Sequence, residues 1–255
     1  MTKVKDIYAY LCELAPLELQ TAYDNSGFLI GHADKEVHHV LLSLDVTDEV
    51  VEEAIEKGAE LIISHHPLIW DKLSAVTDEN CANRKLLRLL ENQIAVISMH
   101  TNLDITDGGV NDVLMELLGA ENDGCFEAER CGRRGHLAEA LDMPDFLALC
   151  KEKLKTNGLR YYDAQRPVQN IAVLGGSGGG NLIDAFIAGC DTYLTADVKY
   201  HTFLQARELG INLIDGDHFC TENPVIYRLV SHLTAAFSDL VFEISERHDQ
   251  TVCFF

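Results

Sequence analysis

The chain has 255 residues, 47% of them hydrophobic and 24% charged, which is the composition of a globular protein able to bury a full core without staples. This excludes disorder, collagen and coiled coil as the main architecture. Basic residues number 20 against 41 acidic ones, and the resulting net charge of −21 repels phosphate backbones, which argues against nucleic-acid binding.

The first stretch, MTKVKDIYAYLCELAP, reads as an amphipathic helix without the continuous apolar core of a secretory leader. No apolar run approaches the ~20 residues of a membrane span. The eight cysteines (Cys12, Cys81, Cys125, Cys131, Cys150, Cys190, Cys220 and Cys253) form no C-x-x-C pair. They read as small core residues of a protein in the reducing cytoplasm.

Short apolar runs then alternate with helical patterns. Strands are predicted at 40–45, 61–64 and 94–99. Between them, helix 48–57 carries Val50, Val51, Ala54 and Ile55 on one face, and helix 83–91 carries Leu86, Leu87 and Leu90. The segment 119–135 is polar and glycine-rich, so a boundary is placed near residue 125, dividing the chain into 1–125 and 126–255. Beyond it follow a helix at 143–155, strands at 171–174, 191–194 and 211–214, and helices at 181–188 and 199–209. The strands do not alternate, as expected where helices cover both faces of a parallel sheet. The two halves share one rhythm of strand, helix, glycine turn and strand. The fold expected is α/β, with two similar three-layer α/β units and mostly parallel sheets.

The chemistry gathers at strand ends, where open α/β sheets bind ligands. Ser64-His65-His66-Pro67 follows the strand at 61–64. Adjacent residues of extended chain point to opposite sides, so two adjacent imidazoles suit two neighbouring metals better than one. The next strand end carries His100 and Asp104, which read as ligands or as a satisfied histidine and a helix N-cap. The third is Asp215-Gly216-Asp217-His218-Phe219-Cys220-Thr221-Glu222; in a helix starting near Asp217, His218 and Glu222 stand at i and i+4 on one face. Three strand ends thus carry three histidines and two carboxylates at ligand positions. Nitrogen and oxygen donors suit zinc, manganese, iron or nickel. Five side chains exceed what one catalytic ion with an open position takes, and they suit two ions with a bridging carboxylate and a bridging water.

Two further segments stay open. Asp197 and His201 are again i and i+4, and read as groups behind the metal or against substrate, or equally as a helix cap and a surface histidine. The run Gly175-Gly176-Ser177-Gly178-Gly179-Gly180 could cradle a substrate anion or simply make a tight turn. Serine and cysteine nucleophile catalysis lack their motifs.

Asp24-Asn25-Ser26-Gly27, Leu44-Asp45-Val46-Thr47, the His65-His66 pair, His100-Thr101-Asn102-Leu103-Asp104, the 195–201 segment and Asp217-His218-Phe219-Cys220-Thr221-Glu222 together resemble the YbgI-like (Nif-three-like) proteins, also labelled GTP cyclohydrolase 1 type 2 homologs. The resemblance spans nearly the whole chain. It implies a dinuclear metal centre ligated by His65, His66, Asp104, His218 and Glu222, lying between two similar α/β domains. It also implies a ring-shaped homohexamer, a trimer of dimers, in the compact form that lacks an inserted domain. One departure is Asp197, where relatives often show Glu after Thr-Gly; here the sequence is Thr195-Ala196-Asp197.

The reading reached is a cytoplasmic metal-dependent hydrolase holding two divalent ions per chain and acting on a small molecule such as a nucleotide. In that reading Glu222 is the candidate to bridge the ions, which would activate a water for attack, and His100 and His201 are candidates for proton transfer or substrate orientation. The rival reading is a metal-binding ring that is not catalytic and serves as an assembly platform.

Overall fold

The computed structural model describes the backbone of residues 1–255 and every side chain except those of residues 81 and 82. The chain forms two compact units, one of Met1–Thr106 with Ile226–Asp249, the other of Asp107–Val225 with Gln250–Phe255. The first unit opens with α1 (Val4–Leu14), β1 (Gly27–Ile30), β2 (His39–Ser43), α2 (Asp48–Lys57), β3 (Leu61–Ser64), α3 (Cys81–Glu91), β4 (Ala95–Ser98) and α4 (Thr101–Ile105). Next come α5 (Val110–Leu117), β5 (Ala120–Cys125), β6 (Arg133–Leu141), α6 (Met143–Leu154), β7 (Arg160–Tyr162), β8 (Val168–Val173), α7 (Leu182–Ile187), β9 (Thr192–Thr195), α8 (Tyr200–Leu209), β10 (Asn212–Asp215) and α9 (His218–Glu222). The chain then returns through α10 (Pro224–Ala236) to β11 (Val241–Ile244).

Local chemistry sets the helix limits. Thr47 caps α2 by accepting from the Val50 amide, Asp48 and Glu49 face the positive end of the helix, and Gly58 closes it in the left-handed region at φ 67°. Asp142 caps α6 in the same way by accepting from the Asp145 amide.

The first sheet runs β1-β4-β3-β2-β11, with β11, β2, β3 and β4 mutually parallel and β1 antiparallel at one edge. Leu41, Ile62 and Val96 pack on one face with Val50, Val51 and Ala54 of α2 and Leu86 and Leu89 of α3. Their strand neighbours Val40, Leu42, Ile63 and Ile97 are also wholly buried, so both faces are covered. The register aligns Ser43, Ser64 and Ser98, so three parallel strands end on one line.

The second sheet runs β5-β6-β8-β9-β10-β7, parallel through β8, β9 and β10 and antiparallel toward both edges. Ile171, Val173, Leu194 and Ile214 pack with α5 and α6 on one face, and Ala172, Tyr193 and Leu213 with α7 and α8 on the other. This second unit is the three-layer arrangement expected, and its three central strands repeat the parallel run of β2, β3 and β4.

The division of the chain differs from the one expected near residue 125. Leu114, Met115 and Leu118 belong to the core of the second unit, so the crossover comes before α5, and β11 rejoins the first sheet beside β2. The supposed linker 119–135 contains β5 and the start of β6, paired antiparallel. One of its glycines has a packing reason: a Cβ on Gly135 would meet the Glu121 carbonyl oxygen at 1.9 Å.

Of the described cysteines, Cys131, Cys150, Cys190 and Cys220 are buried and Cys253 is exposed; the side chain of Cys81 lies outside the described residues. Burial pushes the Cys150 thiol up to about 12 and that of Cys190 up to about 11, so neither is a thiolate at neutral pH. Among the described residues, no helix is long and apolar enough to cross a membrane.

Candidate metal centre

In the first unit the donor side chains follow the aligned strand ends. His65 and His66 leave β3, and His100 follows β4 by two residues. The turn after β3 is fixed by the His66 amide donating to the Leu44 carbonyl at 2.9 Å and the Ser64 hydroxyl donating to the His66 carbonyl at 2.8 Å. His100 is the N-cap of α4, which places Asp104 one turn on; Asp104 is therefore not the cap. The His65 and His66 ring centroids lie 5.0 Å apart, and His100 lies 5.2 Å from the first and 5.6 Å from the second. One ring nitrogen from each of the three comes within 4.8 Å of the others. His65 Nε2 is also 3.6 Å from Asp104 Oδ1.

Each ring has its other nitrogen held. His65 Nδ1 donates to the Met99 carbonyl at 2.8 Å, His66 Nδ1 to Asp45 Oδ1 at 2.7 Å, and His100 Nδ1 to Asp24 Oδ1 at 2.8 Å. Acceptors at Nδ1 put the proton there and the lone pair on Nε2, the tautomer a metal ion requires. Burial works to raise the Asp24 carboxyl, but hydrogen bonds from His100, Thr101 and Ser26 outweigh it and hold the group well below the usual aspartate range. Asp45 behaves alike: burial is outweighed by hydrogen bonds from His248 and His66. Both remain anionic behind their imidazoles throughout the neutral range.

In the second unit the donors are His218 and Glu222, at the two ends of α9. Asp217 caps that helix, accepting from the Cys220 amide, with its own backbone in the left-handed region at φ 72°. His218 Nε2 lies 3.0 Å from Glu222 Oε2, as the i and i+4 spacing predicts. His218 Nδ1 donates to Asp197 Oδ2 at 2.8 Å, the same arrangement as in the first unit. Asp197 therefore holds the His218 ring. His201 is exposed on α8 and joins none of the donor groups found among the described residues.

The glycine run proves to be the floor under this pair. A Cβ on Gly176 would meet Glu222 Oε1 at 2.0 Å and His218 Nε2 at 3.2 Å. The amides of Gly175, Gly176 and Gly178 already donate to Asn111 Oδ1, Thr221 Oγ1 and Thr195 Oγ1, at 2.8, 3.0 and 3.0 Å, and these three do not cradle a substrate anion.

The residues fit a divalent ion. Four imidazoles present Nε2 as a possible donor, carboxylates stand beside them, and the glycine floor clears the space beside Glu222. The sequence named these donor side chains and, in Asp197, one group read as lying behind the metal, but not the other supports. Asp24 and Asp45 stood in quoted motifs without a role, and His248 carried no local signal at all.

The fold and these donor sets define an α/β protein of two units, each presenting histidine and carboxylate groups beyond the ends of parallel strands. The sequence profile of the Duf34/NIF3 (NGG1p interacting factor 3) family matches residues 2–250, and the chain belongs to that family. It is 34% identical over 252 residues to a "GTP cyclohydrolase 1 type 2 homolog" of Clostridium perfringens, covering 96% of each chain. Among solved structures, the hypothetical protein SA1388 of Staphylococcus aureus superposes with a TM-score of 0.91 at 29% identity, with 99% of both chains covered. Protein ybgI, described as of unknown function, shares the fold with a TM-score of 0.89 at 22% identity, over 98% of this chain and 100% of its own.

Proposed function

We propose that this protein binds two divalent ions and acts as a metal-dependent hydrolase on a small substrate of the nucleotide class. His65, His66 and Asp104 of the first unit and His218 and Glu222 of the second would hold the ions, with Glu222 the candidate for a carboxylate they would share. The observation that carries this reading is the repeated support of the rings: His65, His66 and His218 each donate Nδ1–H to an oxygen, which orients Nε2 as a donor. The donor set suits zinc, manganese, iron or nickel. When bound, such ions supply Lewis acidity and lower the pKa of water toward neutrality.

His100, its ring fixed at Nδ1 by Asp24, is the candidate for proton transfer or substrate orientation. His201, exposed on α8, is left to substrate contact. The nucleotide class rests on the name carried by the relatives. In the same reading the chain works in the cytoplasm as a homohexamer, for which light scattering would give the mass of six chains.

The test is Glu222→Gln. It is expected to lower metal content and to abolish metal-dependent hydrolysis across a panel of nucleotides, esters and amides. Unchanged stoichiometry would sink the shared-carboxylate assignment. A metal-loaded wild-type protein inert toward the whole panel would assign the chain instead to a ring that binds metal without catalysis.

A further inference from the structure

The C-terminal end of the first unit is fastened residue by residue. The Ser245 hydroxyl and the Glu246 amide donate to the two oxygens of Glu53, at 2.5 and 3.1 Å. Arg247 pairs with Glu56, its Nη1 at 3.2 Å from Oε1. His248 Nε2 donates to Asp45 Oδ2 at 2.8 Å. Four consecutive residues thus hold the return strand β11 against α2 and the loop after β2.

The fourth fastening differs from the others in what lies beyond it. Asp45 Oδ1 accepts from His66 Nδ1 at 2.7 Å, so the carboxylate joins two imidazoles, one oxygen to each. With only one ring attached, a carboxylate can rotate about its terminal bond and swing its acceptor. With both attached, the plane of Asp45 is set, and with it the direction of the His66 ring. The His248 side chain is only 9% exposed, so its end of the bond is shielded, while Asp45 is 41% exposed.

We infer that His248 is a positioning residue which acts through Asp45 to orient His66, so that docking of residues 245–248 and metal occupancy at His66 are thermodynamically linked. The linkage is reciprocal: whatever the docked segment adds to metal affinity, bound metal returns as protection of the segment. This inference rests on the proposed role of His66 as a ligand.

The experiment compares wild type, His248→Ala and His248→Gln, the last retaining an N–H donor in case the alanine variant folds poorly. Solid-state NMR of histidine-labelled apoprotein reads the tautomer of His66 directly, with no metal present. Competition with a chromophoric chelator reads zinc affinity, and hydrogen exchange reads residues 245–248 with and without zinc.

His248→Ala is expected to give mixed tautomers at His66 and to weaken zinc binding about tenfold, the lower end of the range for residues that support metal ligands. His248→Gln is expected to restore most of both. Zinc is expected to slow exchange at 245–248 in the wild type. A single Nδ1–H tautomer and wild-type zinc affinity in both variants would overturn the inference. Failure of the wild type itself to bind zinc would instead count against the metal centre, and the apoprotein tautomer would still decide whether His248 positions His66.

Discussion

Gly176→Ala tests whether the glycine run exists to make room for the Glu222 carboxylate. Gly176 sits at φ +67°, where a residue with a Cβ is disfavoured by about 1–2 kcal/mol. The new methyl would also stand 2.0 Å from Glu222 Oε1 and 2.9 Å from Glu222 Cδ. Glu222 is only 4% exposed, so its carboxylate cannot simply move into water. Overpacking of this kind costs about 1–3 kcal/mol, for a combined loss of about 2–5 kcal/mol. Backbone relief is limited, because the Gly176 amide is held by Thr221 and its carbonyl accepts from Ala196 at 2.9 Å. Gly180→Ala is the internal control: the same run and the same chemical change, but no atom within 4 Å of the added methyl. Urea unfolding of the two apoproteins, with zinc affinity measured alongside, gives the comparison. Gly176→Ala should lose stability and bind zinc more weakly, with Gly180→Ala close to wild type in both. Equal behaviour of the two variants would refute the reasoning.

Three other outcomes are expected. Asp197→Asn should weaken metal binding about tenfold, because the bond that orients His218 loses its charge; stability should barely change, since asparagine tolerates the φ of 52° that Asp197 adopts. Glu53, 2% exposed, is opposed by burial, but Ser245, the Glu246 amide and Lys57 hold its carboxyl below the ordinary value of 4.5. Because the folded value is the lower one, its contribution is complete above pH 4.5 and fades as pH falls through the folded value; Glu53→Gln should flatten the acid limb of a stability-versus-pH curve between those limits, and an unchanged limb would contradict it. Trp70, the only tryptophan, stands edge-on to His100 with ring centroids 5.5 Å apart. Its fluorescence should be quenched by nickel and recover with chelator, and indifference to nickel would count against metal binding at the histidines of the first unit.

What could be read from the sequence follows from where the signal is local. Helix 48–57 and strand 61–64 lie where the pattern of apolar residues put them, because capping and continuous burial are written into adjacent positions. The pairing of His218 with Glu222 was legible for the same reason, since helical spacing alone brings i and i+4 together. Edge strands were not legible. β5 reads Ala-Glu-Asn-Asp-Gly-Cys and is largely exposed, so its polar run resembles a linker, and only its antiparallel partner makes it a strand. The return of β11 to the first sheet was hidden because its pairing with β2 spans most of the chain. The supports of the first unit's imidazoles were missed on similar grounds. Asp24 reaches His100 across 76 positions and His248 reaches Asp45 across 203, separations at which spacing carries no information.

Metal content, measured by elemental analysis of protein purified without chelator or an affinity metal, tests the metal centre most directly. About two ions per chain are expected, dropping on Glu222→Gln. A protein that carries no metal, and takes up none on addition of zinc, manganese, iron or nickel, would contradict the dinuclear centre.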